Sequence, residues 1–277
     1  MRFVAVAFLI LIVFRVANGA DDEDIKQMWT EDVLRLCDHP SEHLSLGPLV
    51  SFQFWNAGDV VKIEIRSLTP LLLRFPQFAN TRTTRLLAEL AAKQELERMN
   101  VTVENSSFRH KGRRADGLWL GHSDPSTSGV FRKIERTFRL NPSAAENFLL
   151  LKYDKNGHYA PHYDHLDETN SPDWWMANRG NRLATMLLIA KTAERGGGTV
   201  FPYLGVTVQP EEGDLIVWFN ADSRQNRELH SIHGACPIKS GTKVALSLWI
   251  RSFPHPKLKS PLEGEHPSFR FDQILQP

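Results

Sequence analysis

The sequence predicts a mainly β fold, a sandwich or barrel of the jelly-roll kind, supported by N-terminal helices. Three observations predict it. From Glu146 onward, short apolar or alternating runs recur at 148–153, 159–163, 183–190, 199–203, 214–219, 229–233 and 244–251. Turn residues separate them: Asn156-Gly157, Gly196-Gly197-Gly198, Glu212-Gly213 and Ser240-Gly241. Before Glu146, by contrast, apolar residues recur at helical spacing.

Residues 1–19 carry an early charge at Arg2, an apolar run from Phe3 to Phe14 and small residues at Ala17 and Gly19, the three parts of a secretory signal peptide. Arg15 ends that run short of a membrane span, and nothing later is long and apolar enough to cross a bilayer, so no membrane association is expected. Residues 20–58 read as a helical segment (Ile25, Met28, Trp29, Val33, Leu34) followed by a linker through Gly47-Pro48. Residues 59–252 form the main domain, with its core over about 146–251. In it, Val60–Ile65 alternates as a strand does and Leu71–Phe75 is a short apolar run. Leu86, Leu87, Leu90, Ala91 and Leu96 mark an amphipathic helix within 83–99, and a second helix is expected over 129–138. Residues 253–277 are a Pro- and Lys-rich tail.

Charge and cysteine content narrow the function classes. Lys and Arg number 33 against 32 Asp and Glu, so no global field favours nucleic acid, and none is expected as a partner. The one basic cluster, Arg109 to Arg114, reads as a solvated loop or a substrate-side loop. Asn100-Val101-Thr102 and Asn105-Ser106-Ser107 are glycosylation sequons, which agrees with a secretory address in the endoplasmic reticulum lumen or beyond. Cys37 and Cys236 could pair there or remain two buried thiols. The triple glycine at 196–198 is followed by the β-like Thr199-Val200-Phe201 and reads as a tight turn, not a phosphate loop.

The chemistry gathers around Tyr159–Asp164. His162 and Asp164 stand two apart in an expected strand and so share a face, which supplies two members of a His/carboxylate facial triad for non-haem iron. His165 and Asp167 repeat the spacing where a polar loop begins, and a rigid metal site favours the strand pair. The third ligand is His233 or His230. These lie three apart, so in a strand only one can face inward, and His233 is preferred beside the small Gly234-Ala235 pair.

An ordered series of motifs then resembles the catalytic domain of prolyl 4-hydroxylase alpha subunits. It comprises Tyr153, Gly157 to Asp164, Arg182 to Thr185, Gly197 to Pro202, His233 to Pro237, Lys243 and Trp249, with a separation of 71 residues from His162 to His233. The resemblance implies a double-stranded β-helix core that hydroxylates peptidyl proline at C4 with Fe(II), 2-oxoglutarate and O2, giving succinate and CO2. It implies His162, Asp164 and His233 as iron ligands and Lys243 as the cation for the distal carboxylate of 2-oxoglutarate. Tyr153 and Thr199 would donate hydroxyl hydrogen bonds to that carboxylate, and Trp249 would pack close by. Arg182 and Arg113 match positions that contact peptide. L-Ascorbate is the implied reductant, and a proline-containing peptide or procollagen the implied substrate. Protein disulfide isomerase, the usual partner of the collagen enzymes, is left open, because residues 20–58 are too short for their separate peptide-binding domain. A same-mechanism hydroxylase of another residue or secreted protein, or an inactive jelly-roll binding relative, are the alternatives. His158 stands where many relatives carry Gln.

Overall fold

A computed structural model describes residues 29–40, 48–56, 58–103, 106–108, 111–140, 142, 145–167, 174–222, 224–253 and 275. The expected signal peptide, the sequon at Asn105 and nearly all of the tail lie outside these residues. No helix among the described residues is long and apolar enough to cross a membrane.

The chain is mainly β. In order it forms α1 (Glu31–Asp38), β1 (Val50–Asn56), β2 (Asp59–Leu68), β3 (Leu71–Phe75), α2 (Thr81–Lys93), β4 (Glu97–Arg98), β5 (Val101–Val103), β6 (Ser106–Phe108), β7 (Arg113–Arg114) and β8 (Asp116–Leu120). There follow α3 (Ser128–Thr137), β9 (Phe148–Tyr153), β10 (His158–His162), α4 (Trp174–Arg179), β11 (Arg182–Lys191), β12 (Arg195–Gly196), β13 (Thr199–Phe201), β14 (Val206–Val208) and β15 (Leu215–Phe219). The last strands are β16 (His233–Ala235), β17 (Ile238–Ser240) and β18 (Lys243–Arg251). A major sheet runs β1-β2-β3-β15-β11-β18-β9-β8-β4 and a minor sheet β14-β13-β16-β10-β7, the two layers of a double-stranded β-helix.

Strand alternation sets what each face does. Along β18, Val244, Leu246, Leu248 and Ile250 enter the large core with Leu150 of β9 and Val217 of β15. That core is closed by Leu87 and Ala91 of α2 and by Val130 and Ile134 of α3. The helices form because their apolar residues recur on one stripe, and Asn80 caps α2 by accepting from the Thr83 N–H. Opposite residues of the same strands, Tyr153 on β9 and Trp249 on β18, line a second cluster that faces the minor sheet. The helices thus cover one face of the major sheet and free the other for the space between the sheets.

α1 packs on the far side of the minor sheet. Trp29, Val33 and Leu36 form a cluster with Val200 of β13, and Cys37 is disulfide-bonded to Cys236 with their Cα atoms 5.6 Å apart. Of the two states left open by the sequence, paired or free, the structure has the pair.

Several elements differ from the sequence reading. Val50–Asn56, within the stretch read as linker, is a strand paired with β2. A short helix, α4, interrupts the β region after Glu146. The run Leu229–His233 is not one strand: Leu229–Ser231 is a 3-10 turn and β16 begins at His233. Local bonds explain it, since the Glu228 carboxylate accepts from the His230 N–H and the Ser231 hydroxyl donates to the Glu228 carbonyl, offering this backbone an alternative to a ladder.

Candidate active site

His162 ends β10 and His233 opens the neighbouring antiparallel strand β16, and the two are directly paired in register. Asp164 is not on β10. The strand stops at His162, and Asp164 lies in the bend that follows, 4% exposed. Pro161 contributes to this break, because it has no N–H for the ladder, and the register with β16 is irregular between Tyr159 and His162. The shared strand face predicted for His162 and Asp164 is therefore not what joins them; the bend turns the carboxylate back toward the pair.

The three side chains converge. Asp164 Oδ1 lies 3.6 Å from His162 Nε2 and Oδ2 lies 3.4 Å from His233 Nε2. His162, Asp164 and His233 are the one group of three or more His, Cys, Asp or Glu residues among the described residues whose ligand atoms lie close enough for one ion, all within 4.8 Å of one another.

Tautomers follow from the neighbours. His162 Nδ1 lies 2.9 Å from the Ala160 carbonyl and His233 Nδ1 lies 2.9 Å from the Ser231 carbonyl. A carbonyl only accepts, so each Nδ1 carries a proton and each Nε2 is the nitrogen turned toward Asp164. Burial lowers His233 to about 4, which keeps it neutral at physiological pH, as a ligand must be. Burial alone would raise Asp164, but the facing His233 and His162, together with Arg182, hold it well below the usual carboxylate range. Two imidazoles and one carboxylate converging on a point are a donor set suited to Fe(II).

Neither rival histidine joins the group. His230 sits in the 3-10 turn, half exposed, with Nδ1 3.0 Å from Glu228. His165 is buried the other way, with Nε2 3.2 Å from the Gln225 carbonyl and Nδ1 3.3 Å from the Asn181 amide.

A second cluster of polar atoms lies across the gap on the major sheet. Lys243 and Tyr153 are cross-strand partners on β18 and β9, and the Lys243 ammonium is 5.9 Å from the Tyr153 ring centre. Lys243 is 3% exposed and donates to the Gly197 carbonyl at 2.6 Å, and no carboxylate among the described residues pairs with it. Burial lowers it to about 8. Gly197 has φ +76°, which glycine adopts without strain, and a Cβ there would stand 2.7 Å from the Ile238 side chain, so glycine suits the turn whose carbonyl the lysine meets. Burial pushes Tyr153 up to about 12, so it remains a protonated phenol able to donate. The Thr199 hydroxyl and the Trp249 indole N–H are both buried without a hydrogen-bond partner among the described residues. Thr199 pairs with Ala235, two residues from His233, so it faces the same side of the minor sheet as the histidine.

A buried cation without a counter-charge and two orphaned donors are costly unless an acceptor fills the space. The dicarboxylate 2-oxoglutarate fits this chemistry, one end on the cation and hydroxyls and the other toward the His-Asp-His group.

The two arginines differ in their commitments. Arg182 is held bidentately by the buried Glu146 at 2.6 and 2.8 Å, lies over the Trp249 ring at 4.0 Å, and reaches to 4.0 Å from Asp164. Arg113 stacks 4.5 Å over Tyr159 and donates to the carbonyl of Asn100, whose own side chain is at the surface. Sequence reasoning missed Glu146, which also pairs with Arg251 at 2.9 Å, and the partners of Asp164: Thr185 donates to it at 2.6 Å, and Asn220 donates to Thr185 at 2.8 Å. Thr185 stood inside a motif that resembled a family; Asn220 had no signal beyond ending an apolar run.

Comparison with known proteins agrees with this geometry. Residues 148–251 match the family described as the 2OG-Fe(II) oxygenase superfamily. The chain is 34% identical over 195 residues to prolyl 4-hydroxylase subunit alpha-2 of Caenorhabditis elegans, covering 69% of this chain and 36% of that one. It is 28% identical over 201 residues to the alpha-1 subunit of Mus musculus, covering 70% and 38%. The chain therefore spans a little over a third of the length of these relatives. The viral collagen prolyl hydroxylase of Paramecium Bursaria Chlorella virus-1, in its 2OG complex, superposes with a TM-score of 0.50 at 23% identity over 65% of this chain and 95% of that one, a likeness of fold.

Proposed function

Residues 148–251 are a domain of the 2OG-Fe(II) oxygenase superfamily, and from that premise we propose that the protein hydroxylates peptidyl proline at C4 in procollagen-type sequences. The observation that carries this reading is the pairing of the His162, Asp164 and His233 group with the buried, carboxylate-free Lys243. Similarity to prolyl 4-hydroxylase alpha subunits supports the proline substrate.

His162, Asp164 and His233 would hold Fe(II). Iron held there would supply O2 activation, coupled to oxidative decarboxylation of 2-oxoglutarate to succinate and CO2, for hydroxylation of the peptide. Lys243 anchors the distal carboxylate of 2-oxoglutarate, with Tyr153 and Thr199 as hydroxyl donors. Trp249 walls the pocket and is itself braced by Arg182, so this arginine serves the pocket wall and Asp164 before any peptide. Arg113, less committed, is the better candidate for peptide contact. L-Ascorbate is the reductant in this reading. The secretory lumen is the proposed compartment, supported by the buried Cys37–Cys236 disulfide, since such bonds persist under oxidising conditions.

The test is succinate release from 2-oxoglutarate with a (Pro-Pro-Gly)-repeat peptide, with the peptide's mass followed in parallel. Wild type is expected to release succinate in step with the gain of one oxygen on proline, and His233→Ala to do neither. Succinate release without peptide modification would sink the proline assignment and leave the chemistry standing, pointing to another residue or another secreted protein. Equal turnover in wild type and His233→Ala would remove the metal assignment.

A further inference from the structure

We infer that Asn220 and Thr185 form a directed hydrogen-bond relay that holds the Asp164 carboxylate in place as a metal ligand, which makes both of them positioning residues. The inference rests on the reading of His162, Asp164 and His233 as metal ligands.

The two residues come from adjacent strands. Thr185 lies on β11, opposite Trp218 of β15, and Asn220 follows the last residue of β15. The Asn220 amide nitrogen is 2.8 Å from the Thr185 hydroxyl, which is 2.6 Å from Asp164 Oδ2. All three residues are buried, at 0%, 1% and 4% exposure.

The direction of the relay follows from proton counting. A threonine hydroxyl has one proton to give, and an ionised carboxylate can only accept, so the Thr185 proton belongs to Asp164. The hydroxyl oxygen then needs a donor, which the Asn220 amide N–H supplies. The opposite amide orientation would set two acceptors, Asn220 Oδ1 and Asp164 Oδ2, against that single proton.

A cost accompanies the arrangement. Asn220 Oδ1 is buried without a hydrogen-bond partner among the described residues. An apolar side chain of similar size would avoid that orphan, and the backbone does not need the amide: the Asn220 N–H donates to the Leu183 carbonyl at 2.8 Å and its carbonyl accepts from the Glu228 N–H at 2.9 Å. The one hydrogen bond the side chain makes among the described residues is to Thr185. Retaining an asparagine with an orphaned oxygen is explained by what its N–H does for the carboxylate beyond. Arg182 does not replace it, being 4.0 Å from Asp164 and already engaged by Glu146.

Metal binding tests this without turnover. Co(II) is titrated into the full chain and followed by its visible absorption and by calorimetry, for wild type, Thr185→Val, Thr185→Ser, Asn220→Leu and Asp164→Ala. Loss of an outer partner of a ligand typically costs about 10–100-fold in metal affinity, so Thr185→Val, nearly isosteric, is expected to weaken Co(II) binding by that factor and to alter its absorption band. Thr185→Ser, which keeps the hydroxyl, is expected to restore affinity to within about threefold of wild type, and Asn220→Leu to fall between them. Should Asn220→Leu fail to fold, the Val and Ser pair at position 185 still decides. Wild-type affinity in Thr185→Val, with binding lost in Asp164→Ala, would overturn the relay alone. Wild-type affinity in Asp164→Ala would overturn the metal reading and the relay with it.

Discussion

Lys243 is a cation that its surroundings oppose. Burial lowers it to about 8, and the carbonyl of Gly197 compensates only part of what water would give. In the empty site its charge is therefore fully present only below about that value, and an acid that binds at higher pH must first have the proton restored. The ammonium loses its proton as pH rises through about 8, so affinity for 2-oxoglutarate is expected to be level at lower pH and to fall about tenfold for each unit above. Calorimetric titration of 2-oxoglutarate into the metal-loaded protein between pH 6.5 and 9.5 measures this, and Lys243→Ala should bind weakly with the step near pH 8 gone. Wild-type affinity in Lys243→Ala would exclude Lys243 as the anchor, whereas a level profile in wild type with weak binding in Lys243→Ala would mean that the bound ammonium keeps its proton throughout that range. The histidines make a sharper pair. His230 is half exposed against Glu228, whereas His233 is buried beside Asp164. Metal titration should find His230→Ala within about twofold of wild type and His233→Ala without measurable binding at micromolar metal; the reverse order would reassign the ligand.

At the scale of elements, the minor sheet is clamped from outside by α1. Trp29 lies where a Cβ on Gly234 would come within 3.2 Å of it, and meets His158 edge to face at 6.2 Å between ring centres. The Thr207 hydroxyl donates to the Leu36 carbonyl at 2.8 Å, and Lys239 pairs with Asp38 at 2.6 Å. The disulfide then closes a sequence separation of 199 residues, three residues beyond His233. Replacing both cysteines by serine is expected to cost about 2–5 kcal/mol of stability. Because the bond braces the strand that bears His233, metal affinity should fall as well. Scanning calorimetry and a metal titration on Cys37→Ser/Cys236→Ser check both, and unchanged affinity in a destabilised variant would confine α1 to a structural role. Much of this layer was legible in sequence: the strands of 148–153 and 244–251 are long, apolar and bounded by turns, and the helix at 128–137 has a clear stripe. β4, β7 and β12 were not, because a two-residue strand has no period and exists only through its partner. The convergence of His162, Asp164 and His233 was anticipated on partly wrong geometry. A strand rule selected Asp164, whereas a bend after Pro161 delivers it. An inward-outward rule selected His233, whereas His230 is excluded by a turn. Thr185, Asn220 and Glu146 escaped because buried polar partners are chosen by contacts between distant strands, and no local spacing records them.

Across the whole molecule the site is a joint between two sheets. The histidines belong to β10 and β16 of the minor sheet, while Lys243, Tyr153 and Trp249 belong to β18 and β9 of the major one. Metal alone would tie two strands of one layer to the bend at Asp164. A dicarboxylate anchored at Lys243 and directed at the metal would tie one layer to the other. Each ligand stabilises the folded chain by mass action, and one present at 100 times its Kd adds about 2.7 kcal/mol. For a domain of this size that is about 5–11 °C in Tm. Thermal melts with Co(II), with 2-oxoglutarate and with both should therefore give a first increment from metal and a second from 2-oxoglutarate that requires the metal. Lys243→Ala should keep the first increment and lose most of the second, and His233→Ala should lose both. A full 2-oxoglutarate shift in His233→Ala would mean that the cation pocket binds its acid independently of the histidines, and the two halves of the site would then have to be assigned to separate ligands.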